Sequence, residues 1–319
     1  MINFRFHVVS LVAVFLALAV GIVVGSTIVD QAIVDGLQNQ LTDIQDNAAD
    51  AFDENERLKS DLDRFDGYLS SSGPFAVDRR LDGSALAIIA ERGIDEDAVD
   101  HQIELTRAAG VGEPLLLWLE PKLTLSREGD ATRLAEILGL TAAERDGLTT
   151  AATRALADRL VAPATDDASS TTSLAPAPDL LAELADAGFV SIDGDGLGLY
   201  DFAPSIARRA MILGGGESKL VAQALLAPLA AALDAAGVET VVGEMYPDHN
   251  DPDAPDRGTL LAPVIGGDLG AAVATVDDVD EVQGRISMVL ALQEVIRGVV
   301  GHYGFGAGAR RSTPEWSSA

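Results

Sequence analysis

The chain has 319 residues and carries 50 acidic against 22 basic side chains, a formal net charge of −28. That excess argues against a nucleic-acid partner, because phosphate binding needs a basic surface; it suits a surface screened by counterions. Cysteine is absent, which excludes disulfides, thiolate metal sites, iron–sulfur clusters and a cysteine nucleophile.

From Val8 to Val29 no residue is charged. As a helix this stretch reaches roughly 33 Å, enough for a hydrocarbon core of about 30 Å. Arg5 precedes it, and Asp30, Asp35 and Asp43 follow. The positive-inside rule therefore predicts that residues 1–29 form a cytoplasmic stub and a single transmembrane anchor, with the bulk of the chain extracytoplasmic. A cleaved signal peptide is the competing reading, but its apolar core usually has only about 7–15 residues. Gly21 and Gly25 have the spacing that lets two membrane helices approach closely.

Residues 30–70 predict a coiled coil. With Val34 at position a, the seam reads Val34, Leu37, Leu41, Ile44, Ala48, Ala51, Asn55, Leu58, Leu62, Phe65 and Leu69, alternating steps of three and four. Asn55 is the one polar residue in it, a device that fixes register at a cost in stability. The alternative is an amphipathic helix folded back on the distal domain. Flanking positions near the membrane (Gln38, Gln40, Gln45, Asn47) are uncharged. In a parallel homodimer Glu54 meets Lys59, which attracts, and Asp61 meets Asp66, which repels. The acidity of this stretch leaves a less acidic hetero-partner open.

The Ser70–Pro74 run predicts the end of the helix and a linker over 71–83. Residues 84–308 read as a layered, mostly parallel α/β domain, because apolar strand runs alternate with helical ones. Expected strands are Ser84–Ala90, Pro114–Leu119, Arg209–Leu213, Thr240–Met245 and Ala271–Val276. Expected helices are Asp95–Ala109, 127–161, Asp179–Ala187, Glu217–Ala236 and Gln283–Val300. A short hairpin is expected over Phe189–Tyr200, and residues 309–319 read as a polar tail.

Two local clusters invite chemistry. Gly214–Gly216 followed by Glu217, Ser218 and Lys219 stands where a strand meets a helix, so its amides are placed to hold a phosphate. It lacks the spacing of a phosphate-binding motif, and Glu217 repels an anion, so a tight packing turn is the better reading. Met245, Asp248 and His249, with Asp253 nearby, gather thioether, carboxylate and imidazole donors that could hold a metal ion, again without a recognised spacing. His302-Tyr303 reads as a helix cap with a packed aromatic. No catalytic constellation is legible, and the residues themselves imply no cofactor.

Three stretches occur together: Phe4–Gly21 running on to Gly25-Ser26, Ala274–Asp280 with Gly284-Arg285, and Gly301–Gly304. In that order, with a coiled coil after the first, the chain resembles the actinobacterial MctB family, labelled copper transporter, which includes the corynebacterial cell-separation protein SteB. The resemblance implies copper homeostasis on one side. On the other it implies a single-pass division factor that pairs with a SteA-like membrane protein. It carries over no ligand or catalytic residue. With no cysteine and scattered methionines, the residues favour a non-catalytic interaction module over direct copper transport. A nucleotide-binding enzyme built on Gly214–Gly216 ranks third.

Overall fold

A computed structural model describes residues 4–140, 145–161, 179–193, 208–216, 218, 222–246 and 256–315. The chain divides into two compact units, Met1–Gly67 and Tyr68–Ala319. Helix α1 (Phe4–Val77) makes up the described part of the first unit and supplies the opening turns of the second. Its stretch Phe4–Gly25 has a mean hydropathy of 2.9, and none of it is buried within the chain.

The predicted stop at Ser70–Pro74 does not hold, because α1 continues to Val77 with Pro74 inside it. Proline removes one helical hydrogen bond, and tertiary packing offsets that loss. Val77 and Leu81 are fully buried, and Gly73 lies against Leu105 and Ile286. The hydroxyls of Ser71 and Ser72 both donate to the Tyr68 carbonyl, which keeps these polar residues compatible with helix.

In the second unit the described strands are β1 (Leu86–Glu91), β2 (Leu115–Leu119), β3 (Val190–Asp193), β4 (Arg209–Gly215), β5 (Glu239–Met245), β6 (Ala274–Val276) and β7 (His302–Tyr303). They form one sheet in the order β3-β2-β1-β4-β5-β6-β7. Every pairing is parallel except β2 with β3. Strands such as LAIIAE and LLLWL are apolar almost throughout because both faces of the sheet are covered.

On one face Ile88, Trp118, Met211 and Val241 pack under α2 (Glu96–Ala108), α8 (Val282–Ile296) and the last turns of α1. On the other, Ile89, Leu117 and Ile212 pack under α3 (Glu128–Ile137), α4 (Arg145–Val161), α5 (Leu180–Asp186), α6 (Ala222–Ala235) and α7 (Ala262–Ile265). The result is a three-layered, doubly wound α/β domain, with strand order reversing between β1 and β4.

Caps explain several boundaries. The Asp95 carboxylate accepts from the amides of Asp97 and Ala98 and starts α2, and Asp179 does the same for Leu181 at α5. The expected helix 127–161 is two helices, the first closed by Gly139 at φ +66°. The last helix ends at Ile296 rather than Val300, because Gly298 takes φ +80° and its amide donates back to Val295. His302-Tyr303 is a buried strand, not a helix cap. The tail is not wholly free either, since Arg311 bridges Tyr303 and the Glu315 amide donates to Glu294. The second half of the expected hairpin at Gly194–Tyr200 lies outside the described residues.

Candidate functional site

On α1, Val34, Leu37, Leu41, Ile44, Leu58, Leu62 and Phe65 are all exposed in the single chain. Asn55 is exposed among them. Together they make an exposed apolar row on a 3.5-residue period, the pattern of a helix seam. Leu69 behaves differently. It is half-buried on the row that continues through Gly73 and Val77 into the α/β domain, so its own domain takes part of that surface.

Gly21 and Gly25 have open space where a Cβ would stand. Gly25 and Val34, however, are about two and a half turns apart and face opposite ways. One straight helix pair therefore cannot use both the glycines and the seam.

The second place to look is the carboxyl end of the sheet, where doubly wound folds bind ligands at the strand-order switch. Here chain atoms fill it. Glu91, fully buried at the end of β1, accepts from the Gly215 amide at 3.4 Å. A Cβ at Gly214 would collide with Leu226, and one at Gly215 would lie 2.9 Å from Ile94. The glycines are therefore required by packing, and a carboxylate stands where a phosphate would have to go. The start of α2 is equally closed to anions, with Asp95, Glu96 and Asp97 around its amides. Arg92 stacks 4.0 Å from the centre of the Trp118 ring and pairs with Glu96 and Glu120. Among the described residues the arrangement offers no dinucleotide cradle.

Further along the same edge, the loop after β6 organises its neighbours. Asp277 accepts from the amides of Phe305 and Gly306 at 2.8 and 2.9 Å. Asp280 holds Arg257 through two 3.0 Å bonds and also accepts from the Tyr246 amide. Arg257 stacks over Tyr246, and Arg285 donates to the carbonyls of Val279 and Asp280. Gly284 abuts Asp278 so closely that a Cβ would strike its carbonyl. The stretches Ala274–Asp280, Gly284-Arg285 and Gly301–Gly304 thus meet in one structural node.

Burial is the main cause of perturbed acidity here. It raises Glu91, Glu244 and Asp278 to about 7, and the Asp277 charge adds to the effect on Asp278. Glu244 accepts from the Gly258 amide. Among the described residues, neither carboxylate oxygen of Asp278 has a hydrogen-bond partner. Sequence reasoning missed these acids. The available signal was a charged residue inside or closing an apolar strand run, as in LAIIAE and VVGEM.

Of the predicted metal donors, Met245 is 4% exposed and belongs to the core under α8. Asp248 and His249 lie outside the described residues. His302 is a satisfied core histidine. Nε2 donates to the Gly270 carbonyl, so Nδ1 accepts from Thr275, and burial lowers its pKa. Among the described residues no group of three or more His, Asp or Glu side chains is placed to hold a metal ion.

These features define a class: an α/β domain joined to a long helix that begins in one apolar span, with its most conspicuous free surface on that helix. The chain belongs to the MctB family, whose model, described as "Copper transport outer membrane protein, MctB", matches residues 1–314. It is similar to the copper transporter MctB of Mycobacterium bovis and to that of Mycobacterium tuberculosis strain H37Rv. Each is 27% identical over 98% of this chain and 99% of the relative.

Proposed function

We propose that this protein is a single-pass, membrane-anchored component of the cell envelope. In this reading the amino terminus is cytoplasmic and the α/β domain extracytoplasmic, and α1 joins the protein to a partner helix, as expected of a SteB-like factor with a SteA-like division protein. The observation that carries the reading is the exposed apolar row from Val34 to Phe65. It rises directly from the apolar span, so a partner anchored in the same bilayer is held level with it. The filled crevice at Glu91, Gly214 and Gly215 favours a non-catalytic role.

The names of the family and its relatives carry the second reading, direct copper transport. A conducting path needs a polar lumen. The described residues contain one helix of spanning length and an open sheet with β3 and β7 at its edges. Soft copper sites draw on Cys or clustered Met, and the chain has no Cys and only four Met. On the first reading, copper involvement is indirect.

Crosslinking and pull-down from native membranes test the proposal. A membrane partner is expected with the unaltered chain and lost when Leu58 and Leu62 are both replaced by Asp. Liposomes carrying the purified chain should release copper no faster than empty ones. Copper flux that requires this chain alone, or tight stoichiometric binding abolished by His249→Ala, would restore direct transport.

A further inference from the structure

The carboxyl-terminal tail lies along the outer side of β7. The inner side of that strand is used by β6: the carbonyls of Gly301 and Tyr303 accept from the amides of Thr275 and Asp277. The His302 carbonyl and the Gly304 amide alternate with them and serve the outer side. After a bend and turn over 304–308 the chain comes back, and Arg311 bridges Tyr303 in parallel. The Arg310 amide donates to the His302 carbonyl at 2.9 Å, and the Gly304 amide donates to the Arg311 carbonyl at 3.0 Å.

Side chains add one anchor. From Arg310 to Glu315 every residue is exposed except Pro314, which is buried. Arg311 and Glu315 pair within the tail at 2.9 Å, but both are exposed, so the ion pair holds little. One residue past Pro314, the Glu315 amide donates to Glu294 of α8 at 3.0 Å. Main-chain bonds along a strand plus one enclosed side chain are how a sheet edge takes up an extended peptide. Proline also favours extended backbone at Thr313, so the segment gives up less freedom when it docks. A segment with so few buried side chains belongs to the part of a fold that opens most readily.

We propose that the outer side of β7 is a peptide-binding edge whose ligand in this chain is its own segment 310–315. This strap opens independently of the domain beneath it. An extended segment of another protein, with a proline placed as Pro314 is, can then occupy the same edge. Main chain and proline carry the recognition, so the partner needs no complementary charge.

The test uses the full chain, the same chain ending at Gly308, and a synthetic peptide of residues 309–319, all in detergent. The shortened chain should unfold cooperatively and bind the peptide one to one. Pro314→Ser in the peptide should weaken binding at least ten-fold. The intact chain should also bind the unaltered peptide at least ten-fold more weakly, because its own strap competes at roughly millimolar effective concentration. A folded, shortened chain that ignores the peptide would overturn the proposal, and so would equal binding by the two chains. Loss of cooperative unfolding on shortening would overturn it too, by making the tail part of the core. Hydrogen exchange of the intact chain gives a measure free of truncation. The amides of Gly304 and Arg310 should exchange at least ten times faster than those of Thr275 and Asp277, which hold β6 to β7. Equally slow exchange at all four would show that the strap does not open by itself and would sink the idea.

Discussion

At the scale of single residues, the α/β domain is held by close approaches that tolerate no extra atom. Gly284 sits in the first turn of α8 against the Asp278 carbonyl. Gly284→Ala should destabilise the domain by about 1–3 kcal/mol, the usual cost of overpacking. Gly129, exposed in α3 with nothing near its Cβ position, is the opposite case. Gly129→Ala should be neutral or stabilise by up to about 1 kcal/mol through reduced unfolded-state freedom. Urea unfolding of the two variants in parallel checks both signs.

The buried acids give a pH dependence of definite sign. Glu91, Glu244 and Asp278 titrate at about 7 in the folded chain, against roughly 4 when unfolded. Between those values the folded state binds more protons than the unfolded one, so stability falls as pH rises from about 4 to about 7 and then levels off. The unfolding temperature of the full chain in detergent should be higher at pH 5 than at pH 8. Relief of the general acidic repulsion acts in the same direction, so a variant is needed to isolate the buried groups. Asp278→Asn should flatten the slope and raise the temperature at pH 8 by a few degrees, at roughly 2–4 °C per kcal/mol. An unaltered slope in that variant would remove Asp278 from the effect and leave it to Glu91, Glu244 and surface charge.

At the scale of elements, the proposed helix pairing asks α1 to serve two partners. Its large seam residues from Val34 to Phe65 are exposed, whereas Gly73 and Val77 at its end and Leu81 just beyond are built into the domain core. Leu58→Asp with Leu62→Asp should dissociate the helix pair, because two seam positions would then bury unpaired charge. The α/β domain should remain folded. Asn55→Leu should raise the thermal stability of the assembly while relaxing its register or stoichiometry. Sedimentation of the full chain in detergent measures both. The surface ion pair of Arg57 with Glu54, both largely exposed, is not expected to matter for either result.

At the scale of the whole molecule, the question is what the apolar span does. An uncleaved anchor predicts that the mature protein retains residues 1–25 and that the tail is digested by protease added to spheroplasts. A mature amino terminus near Thr27, or a protected tail, would make the span a signal sequence or reverse the orientation. Mass determination of the native protein and protease accessibility decide between them.

Much of this architecture was legible in one dimension, because its signals are local. A span without charge, a 3.5-residue apolar period and apolar runs separated by helical ones each depend on neighbouring residues alone. They sufficed for the apolar helix, the long helix after it and a mostly parallel α/β domain. Asp95 and Asp179 even marked helix starts within a residue. The resemblance stretches Ala274–Asp280 and Gly301–Gly304 were recognisable as patterns, but nothing in their order revealed that Asp277 reaches across to Phe305 and Gly306.

What only the tertiary structure decided were the points where distant residues compete for one surface. Pro74 stays helical because Gly73 and Val77 are packed, an energy no local propensity contains. Leu69 leaves the seam because its own domain covers that row. Gly214 and Gly215 look like a phosphate turn until Glu91 and Leu226 are found occupying the space. Met245 looks like a soft metal donor until it is found in the core. Sequence alone determined the apolar span, the long helix after it and most of the alternating strand and helix runs. Burial, which depends on what the rest of the chain brings to each position, decided which apparent sites are already filled and which face of α1 remains free.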